Sequence, residues 1–133
     1  NLMMSLSMRQ WKGNRLQQTV VNAILYCFPS LNKEDAISTP ASVNGADVIL
    51  SDKAKELFPY KVECKNHNRL KTLYKHFQQA EGHEGKEEPL LVFKSDNQLS
   101  LAVVHLNHFI ELTAYKSKYL ELTNKKNPER NII

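Results

Sequence analysis

The chain has 133 residues, enough for one domain that buries roughly two thirds of the surface its unfolded form exposes. Lys and Arg outnumber Asp and Glu by 18 to 14, a formal charge of +4 that permits a polyanionic partner without requiring one. No apolar run approaches the roughly 18 residues of a membrane span, and the opening NLMMSLSM has neither the apolar length nor the cleavage pattern of an export signal, so a cytoplasmic, non-secreted protein is expected.

In chain order, KGNRLQQTVVNAILYCF places Leu16, Val20, Val21, Ile24 and Leu25 on one face of a helix that Pro29 ends. The following PSLNKEDAISTPASVNGA is rich in Ser, Asn and Pro and reads as a long polar connection. ADVIL and PYKVEC read as two strands, joined by the charged SDKAKELF in a wide hairpin. NRLKTLYKHFQQA returns to helical spacing through Leu70, Leu73, Tyr74 and Phe77 and stops at Gly82. PLLVF and LSLAVVHL are two further strands around the turn KSDNQ, and an amphipathic helix from Phe109 to Leu120 precedes a loose tail. The whole reads as one α/β domain of residues 1–133, with a small central mixed sheet flanked by helices, a core of about 8–112, and a C-terminal helix and tail over 113–133. The two cysteines, Cys27 and Cys64, have no framework spacing and read as reduced thiols.

Chemistry concentrates in NGADVILSDKAKELFPYKVECKNHNRLK, residues 44–71. On a strand, Glu63 and Lys65 project to one side and Cys64 to the other. If Asp47 starts the neighbouring strand, its carboxylate approaches that of Glu63, and two such groups repel unless a cation lies between them. Mg2+ suits this set, because it takes one or two carboxylates and fills its remaining positions with water and phosphate oxygens. Lys65 would then orient a water or stabilise charge on a phosphate. From Lys61 to His76 five cations (Lys61, Lys65, Arg69, Lys71, Lys75) face one acid, Glu63, so the whole net charge is local to this stretch. Taken alone, a Glu-x-Lys pair is most often a solvated surface pair. Its setting singles it out: a preceding Gly-Ala-Asp, an apolar run ending at the pair, and a cationic helix after it. A zinc set of Cys64, His67, His76 and His83 has no usual spacing. Tyr74 and Phe77 share the apolar stripe of their helix and read as core.

The pieces KGNRLQ (12–17), SVNGADVIL (42–50), KVECK (61–65), HFQQA (76–80) and PLLVFK (89–94) follow the order of a known pattern. In that pattern the chain resembles the PD-(D/E)XK nuclease superfamily, and within it the archaeal-type and phage-type Holliday junction resolvases. The resemblance spans about 8–112, and ECK is its most specific element. It implies a restriction-endonuclease-like core in which Asp47 and Glu63 hold Mg2+, with Mn2+ able to substitute. The backbone carbonyl of Cys64 completes the coordination and Lys65 is the catalytic lysine. The resemblance also likens Ser42 to a loop serine that contacts backbone or substrate and Lys94 to the lysine closing the later strand, and implies a homodimer that hydrolyses phosphodiesters of four-way DNA junctions in recombination or repair. Further DNA contacts are expected from the cations Lys12, Arg69, Lys71 and Lys75. The family's first helix normally carries Glu where this chain has Gln17. A neutral amide could hold a metal-bound water but would bind a second metal poorly, and Gln17 could equally be an ordinary helix-surface residue. Two other readings stand beside the resolvase. One is a repair, flap, nick or restriction nuclease of the same fold; the other is a basic DNA-binding module in which Glu63 and Lys65 are inert.

Overall fold

The computed structural model describes residues 2–40, 45–66 and 68–124, with the side chains of 15–40, 45–66 and 68–123. Ser42, His67, the side chain of Lys12 and the tail beyond 124 therefore lie outside the described residues. The chain is mixed α/β and divides into two compact units, 1–66 with 110–133, and 67–109.

The first unit opens with helix α1 (Leu2–Cys27). Val20, Val21 and Ile24 are buried, as the apolar periodicity predicts, whereas Leu16 and Leu25 of the expected face are half-buried and Gln17 and the following Phe28 complete the buried side. Against this face lies a two-stranded antiparallel sheet of β1 (Ala36–Ser38) and β2 (Val48–Leu50), paired Ala36 to Leu50, Ile37 to Ile49 and Ser38 to Val48. Alternation is clear in β2. Val48 and Leu50 are buried, whereas Ile49 between them is 52% exposed. The ladder runs one residue further at each end, through Thr39 N–H to the Asp47 carbonyl (3.0 Å) and Ser51 N–H to the Asp35 carbonyl (2.8 Å).

Three features depart from the sequence reading. β1 lies inside the stretch that reads as a polar connection; with only three residues it has no readable alternation, and it is a strand because β2 pairs with it. SDKAKELF is not a loose hairpin turn but contains helix α2 (Asp52–Leu57), capped by Ser51, whose Oγ accepts from the Ala54 N–H. Ala54 and Phe58, four residues apart, anchor it, at 0% and 2% exposure. PYKVEC forms no regular strand; β2 takes β1 as its partner, and residues 61–64 are tied to the sheet by single bonds described below. The rest of this unit's core comes from the last helix, α4, through Ile110 and Thr113.

In the second unit, a 3-10 turn (Asn68–Leu70) leads into α3 (Lys71–Glu81), followed by the antiparallel pair β3 (Leu91–Phe93) and β4 (Leu101–Val103). α4 (Leu106–Asn124) begins here and continues into the first unit. Phe77 is buried and its ring meets His105 edge-on at 5.0 Å. Tyr74 was expected beside it in the core but is 65% exposed, because the inner stripe of α3 is narrow in so small a unit. The sheet content is thus two separate two-stranded antiparallel pairs, one in each unit, where a single central mixed sheet was expected. Among the described residues no helix is long and apolar enough to cross a membrane.

Two predictions follow from this packing. Ile24 and Ile110 are both fully buried, so Ile24→Ala or Ile110→Ala should lower stability by about 2–5 kcal/mol, read as a reduced denaturation midpoint. The Asp35 carboxyl is held below its ordinary value by the Ser51 hydroxyl (2.7 Å), then by the Asn32 N–H (2.7 Å) and by Lys53. A depressed carboxyl stabilises the fold above its unfolded pKa of about 3.9 and loses that contribution as pH falls through the folded value. Asp35→Asn should therefore flatten the acid limb of a stability-versus-pH curve, with the largest relative loss near neutral pH.

Candidate functional site

Asp47 stands at the entrance to β2, preceded by Gly45 and Ala46. Gly45 has φ +123, which L residues rarely adopt, and nothing lies within 4 Å of where a Cβ would stand; backbone conformation, and not crowding, calls for glycine there. That turn delivers Asp47 into three bonds. Its carbonyl accepts from Thr39, its N–H donates to the Val62 carbonyl at 2.9 Å, and its Oδ2 accepts from the Cys64 N–H at 2.5 Å. The Thr39 hydroxyl secures the same turn by donating to the Ala46 carbonyl at 2.8 Å.

These bonds hold residues 62–64 extended against β2 without a full ladder. The consequence is the alternation expected of KVECK: Glu63 and Lys65 meet on one side, Nζ to Oε1 at 3.2 Å, and are largely exposed, at 62% and 68%. At that exposure the pair adds at most about 1 kcal/mol to stability. Cys64 is part-buried between them. Burial pushes its thiol up, and the Asp47 and Glu63 carboxylates push it further. The protonated thiol is therefore favoured here more than in a free cysteine. Asp47 reaches Cys64 through its amide, and Glu63 is its neighbour in the chain.

The oxygen donors this stretch offers are the Asp47 carboxylate oxygen not used by Cys64, the Glu63 carboxylate and the Cys64 backbone carbonyl. All are hard oxygens, the set that suits Mg2+ or Mn2+ and not zinc. Among the described residues no group of three or more His, Cys, Asp or Glu side chains is placed to hold an ion, so any cation here would draw on water or substrate oxygens as well.

Gln17 is not a helix-surface residue. It is 9% exposed, and its Oε1 accepts from the Ser38 hydroxyl at 2.8 Å, fixing α1 to β1. The oxygen that would hold a metal-bound water is thus already engaged. Arg69, Lys71 and Lys75 are exposed on the 3-10 turn and α3 of the second unit, with Lys71 and Lys75 on one helical face. Lys94 follows β3, its Nζ donating to the Ser95 carbonyl at 3.3 Å. Sequence reading missed the Ser38 partner of Gln17 and the Asp47 contact to the Cys64 amide. An Asp three residues before an apolar strand end gives no sign of which backbone N–H it will take.

Compared with models of known protein families, with curated proteins and with solved structures, the chain matches none.

If the Asp47 carboxylate holds the 61–65 segment in place, Asp47→Ala should speed amide exchange at Cys64 by about tenfold or more, the equivalent of one charge-assisted hydrogen bond. Asp47→Asn, which keeps an acceptor oxygen, should leave that exchange much nearer the parent rate.

Proposed function

We propose that this chain is a Mg2+-dependent, structure-selective DNA endonuclease with a restriction-endonuclease-like core, acting as a homodimer on four-way junctions in recombination or repair. The observation that carries the reading is the bond from the Cys64 amide to the part-buried Asp47 carboxylate, with the exposed Glu63–Lys65 pair on either side of Cys64 in the chain. Asp47, Glu63 and the Cys64 carbonyl would hold the ion. Bound there, Mg2+ supplies charge neutralisation on a phosphodiester oxygen and lowers the pKa of a coordinated water.

The protein's own groups do the rest. Lys65, within 3.2 Å of Glu63, can turn its ammonium to a phosphate seated beside that carboxylate and stabilise charge as it develops there. Asp47 fixes the Cys64 backbone, which sets the side on which Glu63 and Lys65 emerge. Gln17 positions β1 through Ser38. The exposed cations Arg69, Lys71, Lys75 and Lys94, with Lys12 and Ser42, supply phosphate contacts that are indifferent to sequence and weaken with salt. Selectivity for a branched substrate then comes from shape, and a two-fold junction is met most simply by a two-fold dimer.

The test compares a four-way junction with linear duplex of the same sequence, in Mg2+ and in chelator. Parent protein should cut the junction preferentially, at paired positions and only with the ion. Asp47→Asn and Glu63→Gln should abolish cutting while retaining DNA binding, and Lys65→Ala should slow the single-turnover rate by about 10²–10³-fold. Linear duplex cut as readily as the junction would favour a repair or restriction nuclease. DNA binding with no cleavage in any divalent ion would make the chain a binding module, with the solvent-exposed Glu63–Lys65 pair inert.

A further inference from the structure

A cavity of about 530 Å³ lies in the first unit beside the entrance to β2, lined by none of the acidic residues just described. Its apolar lining is Ala46, Val48 and Leu50, its wall is the ring of Tyr60, and Lys55 and Lys61 stand at its margin. Neither lysine forms an ion pair among the described residues, whereas Lys53, on the same helix, donates its Nζ to the Ser30 carbonyl at 2.6 Å.

Tyr60 is held unusually firmly for a residue that is 37% exposed. Its ring packs on that of Phe58 at 4.8 Å, and Phe58, itself 2% exposed, meets Phe28 edge-on at 6.3 Å. Three rings thus run from the α1 core to the surface. Across Pro59, the Tyr60 N–H donates to the Phe58 carbonyl at 2.9 Å and fixes the backbone under the outermost ring. A stability role accounts for Phe28 and Phe58 but not for an anchored aromatic face opening on a cavity with two ammonium groups. An aromatic plane, an apolar floor and two cations are what a single nucleotide needs: stacking for the base and charge for the phosphates on either side of it.

We infer that this cavity is a nucleotide subsite, in which Tyr60 stacks an unpaired base and Lys55 and Lys61 hold its flanking phosphates. This inference rests on the DNA-cleaving reading and deepens it, because the cavity adjoins the site along the chain. Ala46 precedes Asp47, and Lys61 precedes Val62, whose carbonyl receives the Asp47 N–H. Stacking is interrupted at a branch point, so a base there costs less to extrude than one inside intact duplex, and a pocket for one unpaired nucleotide favours branched over linear DNA. Selectivity would then be written in part into each copy of the chain, in addition to the two-fold geometry of a dimer.

The test uses a fluorescein-labelled single-stranded oligothymidylate of about a dozen nucleotides, titrated with full-length protein in chelator so that cleavage plays no part. Tyr60→Ala should weaken binding by about tenfold, the loss of one stacked base, while Tyr60→Phe binds like the parent. The exposed pair Lys55→Gln with Lys61→Gln leaves the aromatic packing intact; it should also weaken binding and should reduce the slope of log affinity against log salt by about 1.4. Parent-like affinity and slope in the double lysine variant, or parent-like affinity in Tyr60→Ala, would overturn the subsite. The two readings separate cleanly. A protein that cuts junctions and tolerates these substitutions keeps its nuclease site and loses the subsite. A protein that never cuts, yet binds the oligonucleotide through Tyr60 and the lysines, keeps the subsite and loses the nuclease assignment.

Discussion

One residue joins the β1–β2 ladder to the segment that carries Glu63 and Lys65. Through its carbonyl Asp47 extends the β1–β2 ladder to Thr39, through its amide it takes the Val62 carbonyl, and through its side chain it takes the Cys64 amide. Residues 61–65 lack the paired bonds of a regular strand, so their conformation depends on this one anchor far more than a strand in a full ladder depends on any single residue. The emergence of Glu63 and Lys65 on one side is the downstream result. A carboxylate in this position therefore does two jobs at once, and a substitution there can disturb backbone and charge together. Asn separates the two, since it keeps the acceptor and removes the charge.

The fold around that anchor is organised to hold it still. α1 presses Val20, Val21 and Ile24 against the inner face of the short sheet, Gln17 adds a polar tie to Ser38, and Ser51 both caps α2 and donates to Asp35 at the far end of the same ladder. Three-residue strands gain little from their own hydrogen bonds. They persist because each end is fastened by a side chain, Thr39 to the Ala46 carbonyl at one and Asp35 with Ser51 at the other.

Much of this was legible in the sequence where periodicity is long. The buried face of α1, the existence of α3 and α4, and the runs that became β2, β3 and β4 all carry patterns that local physics enforces. The side of the chain on which Glu63 and Lys65 meet was legible too, because alternation needs only an extended backbone. What was hidden depends on distant partners. β1 is invisible in AIS alone, α2 looked like a charged turn because its apolar anchors are only Ala54 and Phe58, and PYKVEC has strand composition but lost its expected pairing to a segment it follows by some twenty residues. Gln17 was undecidable for the same reason: its apolar neighbours fix the face, but Ser38, twenty-one residues away, decides that it is buried.

The Glu63–Lys65 contact also has an ion-exchange consequence. With Asp47 and Glu63 each carrying one negative charge and Lys65 one positive, the resting cluster has a formal charge of −1 where the two carboxylates alone would have −2. An approaching polyanion meets less repulsion than bare acids would give it. Because Lys65 meets only Oε1 of Glu63, a cation taking both carboxylate oxygens would displace the ammonium, and the two-residue spacing would keep that displaced positive charge nearby.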